Sequence, residues 1–152
     1  MRKIKRAAIF TLILLIALIT LFVIFGKEPN PKVCSSKACF SVEIVKTEQE
    51  RAQGLMNREF LEENSGMLFI FEQEAKHTFW MKDTKIPLDI IWIDKDKTIV
   101  YIKKNAIPCI EDPCPIYYPS AEALYVLELN AGSTKLYEIA ENDKLQFQNT
   151  FQ

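Results

Sequence analysis

The chain has 152 residues and balances 19 Lys+Arg against 20 Asp+Glu, for a formal net charge of -1. That length suits one domain plus an additional segment. The balanced charge leaves no basic footprint, so no nucleic-acid partner is expected, and four Gly with seven Pro exclude a low-complexity chain.

The apolar excess sits at the N-terminal end. Residues 7–25, AAIFTLILLIALITLFVIF, carry no charge. At about 1.5 Å of rise per residue, a helix of this length approaches the ~30 Å hydrocarbon core of a bilayer. Arg2, Lys3, Lys5 and Arg6 precede it, which predicts the N-terminus inside and the C-terminus outside. A cleaved signal peptide would have a shorter apolar region followed by small residues, and FVIFGKEPN offers no such site. The expected organisation is a basic cytoplasmic stub (1–6), a retained transmembrane signal-anchor (7–25), a linker (26–33) and an extracytoplasmic domain (34–152). That describes a single-pass protein of the cell membrane.

Cys34 and Cys39 (CSSKAC) have the same spacing as Cys109 and Cys114 (CIEDPC). Outside the cytoplasm oxidation is the default, which predicts disulfides. Local pairing would close two small loops, each contributing about 2 kcal/mol on the chain-entropy model. Sequence leaves all three pairings of four cysteines open. A four-thiolate zinc site is the alternative, with its spacing at the edge of the usual range. No CxxC redox motif is present.

Phe40 to Val45 alternates and predicts a strand. Thr47 and Glu50 have capping-box spacing, so a helix starts there, with Ala52, Leu55 and Met56 on its apolar side. Gly54 predicts either the end of this helix or a close packing partner. Further strands are expected at Met67 to Phe71, Thr78 to Lys82, Leu88 to Asp94, Thr98 to Lys103, Leu124 to Asn130 and Lys144 to Gln148. DKDK makes a tight turn, Asn105 to Ser120 is a proline-rich loop, and a helical turn follows Gly132 and Ser133. Seven short strands with one or two short helices predict a mainly β fold, an antiparallel β-sandwich or barrel-like domain.

Three blocks, RAQGLMNREFLEENSGMLFIFE, FWMKDTKIPLDIIWID and ALYVLELNAG, resemble in this order the DUF192 (UPF0127) family. The resemblance spans roughly Cys39 to Phe147. It implies a compact, mainly β domain, often secreted or membrane-anchored. It implies no activity, because the family name records an unknown function. The segment around DPCP also resembles a variant found in such proteins, which implies pairing of Cys109 with Cys114. Where the family reads FWMKNT, this chain has Asp83. If the family Asn both donates and accepts hydrogen bonds, Asp83 loses the donor unless protonated.

The stretch from His77 to Asp94 contains both tryptophans and the only histidine. Trp80 and Lys82 share one face of their strand with Thr78, while Phe79 and Met81 share the other. Asp89 shares a face with Ile91 and Ile93, so it sits at a strand entrance or is buried with a partner. Arg51, Arg58 and Lys82 are the cations within the motif blocks. Arg58, Trp80, Lys82, Asp83 and Asp89 are therefore the candidate ligand-binding residues.

No complete catalytic constellation can be assembled. One histidine rules out a multi-histidine metal site, and a serine triad would need His77 as base without any nucleophile elbow. Neither cofactor nor resident metal is expected. The leading expectation is an accessory domain that binds an envelope protein or a small molecule. A hydrolase using Asp89 with Lys82 or Arg58 is the second reading. Copper held by Met56, Met67 and Met81, with His77, is a third. A glycosidase pair drawn from Glu128, Asp89 and Asp83 has no supporting spacing.

Overall fold

The computed structural model describes residues 13–18, 20 and 30–150. The expected anchor, 7–25, lies largely outside the described residues, of which 13–18 are helical. Among the described residues no helix is long and apolar enough to cross a membrane.

The chain from Lys32 onward forms β1 (Lys32–Cys34), β2 (Cys39–Val45), α1 (Glu48–Gln53), β3 (Ser65–Ala75), β4 (Phe79–Trp80), β5 (Leu88–Ile93), β6 (Ile99–Ala106), β7 (Ile116–Tyr117), β8 (Ala123–Asn130), α2 (Ser133–Leu136) and β9 (Gln146–Gln148). Seven strands make one sheet in the order β6-β5-β8-β3-β2-β1-β9, and β4 pairs with β7 alone. The expectation of a sandwich is therefore corrected. One sheet curls until its edges meet at one corner, where a bridge joins Thr98 to Lys144. There the Leu145 N–H donates to the Lys97 carbonyl at 2.9 Å. The result is a half-barrel. The expected linker also ends earlier than residue 33, because Lys32 already pairs with Ser41 and Gln148.

Local chemistry explains the elements. Thr47 and Glu50 close the capping box of α1 reciprocally, through Glu50 N–H to Thr47 Oγ1 at 3.2 Å and Thr47 N–H to Glu50 Oε2 at 2.9 Å. Gly54 ends the helix at φ 44°, and a Cβ there would lie 3.3 Å from Phe69 Cζ, so both readings of this glycine hold. The crossover through α1 leaves β2 parallel to β3, while the other pairings within the sheet are antiparallel. Cys34 pairs with Cys39 across the β1–β2 hairpin, and the two form a disulfide. Cys109 and Cys114 form the second. No free cysteine remains, which removes the zinc alternative.

The sheet is buried on both faces. Leu68, Ile91, Ile93, Leu127 and Leu129 pack on the inner face, closed by Ile139 and Leu145 from the C-terminal segment. Met67, Phe69, Ile90, Trp92 and Val126 pack on the outer face against Leu55, Met81 and Ile86. All six residues of β5 are consequently buried, which matches a strand reading as a near-continuous apolar run.

β3 and β8 pack with no room to spare. A Cβ on Gly66 would lie 2.7 Å from the Glu128 carbonyl oxygen and 2.7 Å from Leu129 Cδ2. Gly66→Ala is expected to destabilise the domain by about 1–3 kcal/mol through overpacking, read as a lower midpoint in urea denaturation.

Candidate functional site

Two acids interrupt the apolar centre of the sheet, on adjacent strands and opposite faces. Asp89 pairs in register with Leu129, and Glu128 with Ile90. Both are buried, at 1% and 4% exposure. A buried carboxyl is costly unless hydrogen-bonded, and the two meet that cost differently.

Asp89 on the inner face is fully engaged. A register shift between β5 and β6 follows Leu88 and leaves Asn105 at φ 50°, with its N–H donating to Asp89 Oδ1 at 2.9 Å. Asp89 Oδ2 accepts from the Thr134 N–H at 2.9 Å and from Thr134 Oγ1 at 2.6 Å. The cap of α2 is Gly132, which has no side chain to offer, so Asp89 supplies the capping oxygen from another strand. Its role is to tie β5, β6 and α2 together.

That arrangement separates Asp89 from the cations suggested for it. Arg58 forms a two-pronged ion pair with Glu43. Lys82 Nζ lies 2.6 Å from Asp112 Oδ2 and 5.6 Å from the centre of the Trp80 ring. The hydrolase pairs Asp89–Lys82 and Asp89–Arg58 are not formed. A glycosidase pair from Asp89 and Glu128 is also unformed, because the sheet lies between them. Asp83 sits in the left-handed region at φ 53°, which Asn and Asp tolerate best among side-chain-bearing residues. Its N–H donates to Cys109 and its carbonyl accepts from Asn57, while its carboxylate accepts no hydrogen bond. The position asks for a backbone conformation that both Asn and Asp supply.

Met67 and Met81 are core residues, and Met56 borders a cavity. His77 stacks on Phe71 with ring centres 3.5 Å apart, and its Nε2 lies 3.1 Å from the Gln73 carbonyl. Burial lowers its pKa below the ordinary value, so it is neutral at pH 7. The methionines serve as packing, and His77 faces no acid that would make it a catalytic base.

Among the described residues Glu128, on the outer face, has no protein donor. It borders a cavity of about 40 Å3 lined by Arg51, Ala52, Gln53, Gly54, Leu55, Met56, Phe69, Phe79, Trp80, Lys82 and Thr84. All three motif blocks converge here. Burial alone pushes the Glu128 carboxyl up to about 8, so it is largely protonated at pH 7. Arg51 and Lys82 do not neutralise it, because their charged ends lead away. The Arg51 guanidinium donates to the Lys46 and Ile70 carbonyls and lies over Phe71.

The Cys109–Cys114 loop and the strand after it hold two of the lining residues, Lys82 and Trp80. Cys109 N–H donates to the Met81 carbonyl at 3.1 Å, Asp112 holds Lys82, and Ile116 on β7 pairs with Trp80. A shallow groove of about 470 Å3 borders the cavity, sharing Gln53 and Gly54 as lining and extending to Glu43, Thr47 and Arg58. Trp80, Lys82 and Arg58 therefore lie on one continuous stretch of surface. Sequence reasoning gave Glu128 no separate role. The available signal was a lone acid in the middle of ALYVLELN, facing the same side as Val126.

Comparisons with other proteins agree with this fold. A profile of uncharacterized ACR proteins, DUF192, matches residues 32–147. The chain is similar to a protein of unknown function from Novosphingobium aromaticivorans, with 34% identity, 76% of this chain and 82% of that chain covered, and a TM-score of 0.69. It is also similar to a Sinorhizobium meliloti protein described as a candidate transcription regulator, with 32% identity, coverage of 80% and 98%, and a TM-score of 0.70. A search of curated proteins found no match.

The two acids should respond oppositely to substitution. Asp89→Ala orphans three donors and is expected to cost on the order of 3 kcal/mol or more in chemical denaturation. Glu128→Gln keeps the shape of the protonated acid and should fold normally. Between its ordinary value of 4.5 and about 8, Glu128 holds a proton in the folded state that the unfolded chain has released. Native protein should therefore lose stability as pH rises through that window and level off above it. The same melting series on Glu128→Gln should lack this decline.

Proposed function

The chain belongs to the DUF192 family, and from that premise we propose that it is a membrane-anchored binding protein of the cell envelope. Its ligand site is the Glu128 cavity with the adjoining groove. The observation that carries this reading is a buried acid with no donor, bordering a cavity where the motif blocks meet. An apolar packing residue would fill that position more cheaply, so the acid implies a ligand that completes it.

The cavity holds only a small group, while typical small-molecule sites measure about 300–1,000 Å3. The ligand therefore inserts a tip beside Glu128 and lays its body along the groove between Glu43 and Gly54. Trp80 and Lys82 form the rim that this body crosses. An envelope protein presenting such a tip and a free small molecule are both compatible with this geometry.

The anchor rests on the uncharged run at 7–25 and the four basic residues before it. An extracytoplasmic domain agrees with two disulfides, which persist in oxidising compartments. The accessory role rests on the isolation of Asp89, His77 and Glu128 from one another, and on the Thr134 hydroxyl being spent as a buried donor to Asp89.

Two experiments test this reading. Small polar fragments screened against the full-length chain by saturation-transfer NMR should yield ligands whose binding weakens several fold in Trp80→Ala. A screen with no ligand sensitive to Trp80 would reject the site. Protease added to intact cells should remove the C-terminal domain and spare an N-terminal tag, whereas a fully protected domain would reject the orientation.

A further inference from the structure

The walls of the Glu128 cavity indicate the ligand's chemistry. Resting on the binding role proposed above, we infer that the cavity is a recognition site for a primary alkylammonium group, presented by a small amine or a lysine side chain.

Size sets the first limit. A volume of about 40 Å3 accommodates on the order of two or three waters, which suits a terminal –CH2–NH3+ and excludes a guanidinium body or a sugar ring. Chemistry sets the second. The acid accepts no hydrogen bond, and an ammonium brings three donors. The wall is aromatic, with Phe69 and Phe79 packed edge to face at 5.0 Å and Trp80 at the mouth. Ring faces attract cations and disfavour anions.

The charged groups around the cavity also fit. Arg51 and Lys82 are the charged side chains that border it besides Glu128. The Lys82 ammonium is held by Asp112, and the Arg51 guanidinium by two backbone carbonyls and Phe71. Both charged ends are engaged elsewhere, and burial, with no contribution from either cation, sets the raised pKa of Glu128, which leaves the acid uncompensated. No charged residue reaches Glu128 from the neighbouring strands, where Met67 and Ile90 lie opposite it.

The proton balance follows. At neutral pH Glu128 carries a proton, which passes to solvent as the ammonium enters, leaving a carboxylate–ammonium pair. Affinity should then rise with pH by up to about tenfold per unit below the titration of Glu128, while the amine itself stays charged to about pH 10. A hydroxyl would form one hydrogen bond without this gain. A carboxylate would require Glu128 to stay protonated and would face the negative ring faces.

The test is saturation-transfer NMR on the full-length chain with n-butylamine, n-butanol and butyrate between about pH 6 and pH 7.5. Saturable binding is expected for the amine alone, tightening as pH rises. Glu128→Gln should weaken it at least about tenfold and abolish the pH dependence. Trp80→Ala changes an exposed residue and serves as the second variant, with an expected loss of several fold. Nα-acetyl-lysine amide compared with butylamine distinguishes a polypeptide source from a free amine. Equal binding of butanol or butyrate, amine binding unchanged in Glu128→Gln, or no saturation by any amine would overturn the inference. If non-amine fragments still bind in a Trp80-dependent way, the general binding role stands and only the ammonium assignment falls.

Discussion

Everything in this domain depends on burying the centre of one sheet from both sides. β5 and β8 are interior strands of the half-barrel with cores on each face, so a polar side chain in the buried stretch of either strand loses most of its water on folding. Two carboxyl groups do so one residue apart in register. The inner one is met by three donors, and the outer one by none. That asymmetry separates an acid that ties elements together from one that borders a cavity.

Asp89 shows how a buried acid can hold a fold together. Its partners are backbone and hydroxyl donors from two other elements, so no cation is needed and no charge is left for chemistry. The register shift beside it and the glycine cap of α2 are adaptations to the same carboxylate. The first turns the Asn105 N–H toward it, and the second leaves a helix start needing an outside acceptor. Glu128 is surrounded instead by rings, stems and a small cavity. The nearby cations are held back by Asp112, by two carbonyls and by Phe71. A fold under selection for stability alone gains nothing from this arrangement, because a hydrophobic residue would pack there without desolvating an acid.

The second disulfide loop belongs to the same design. It is stitched to β4 through Met81 and Asp83, carries the residue that holds Lys82, and leads into the strand paired with Trp80. The motif FWMKDT is thus shaped from one side by a loop that the sequence presents only as proline-rich. Asp83 contributes a left-handed turn through its backbone.

Much of the local structure was legible in the sequence because its causes are local. The capping box at Thr47, the stop at Gly54, the alternation in β2 and the shared face of Asp89, Ile91 and Ile93 all follow from periodicity and turn chemistry. β1 and β7 were missed because KVC and IY, unlike the longer alternating stretches around β4 and β9, sit among prolines and cysteines with no alternation extending beyond them. The parallel β2–β3 pair was missed, and the choice between a sandwich and a barrel-like sheet stayed open, because a strand's pattern records its burial but not its neighbours. The candidate site was half legible. Trp80 and Lys82 were identified from their motif, whereas Glu128 could be chosen over Asp89 only in three dimensions. Donors 16 and 45 residues away satisfy Asp89, and no residue satisfies Glu128. The sequence by itself placed Asp89 on an apolar strand face, and tertiary structure decided that it and Glu128 are buried and which of them is left without a partner among the described residues, because hydrogen-bond satisfaction depends on distant segments meeting in space.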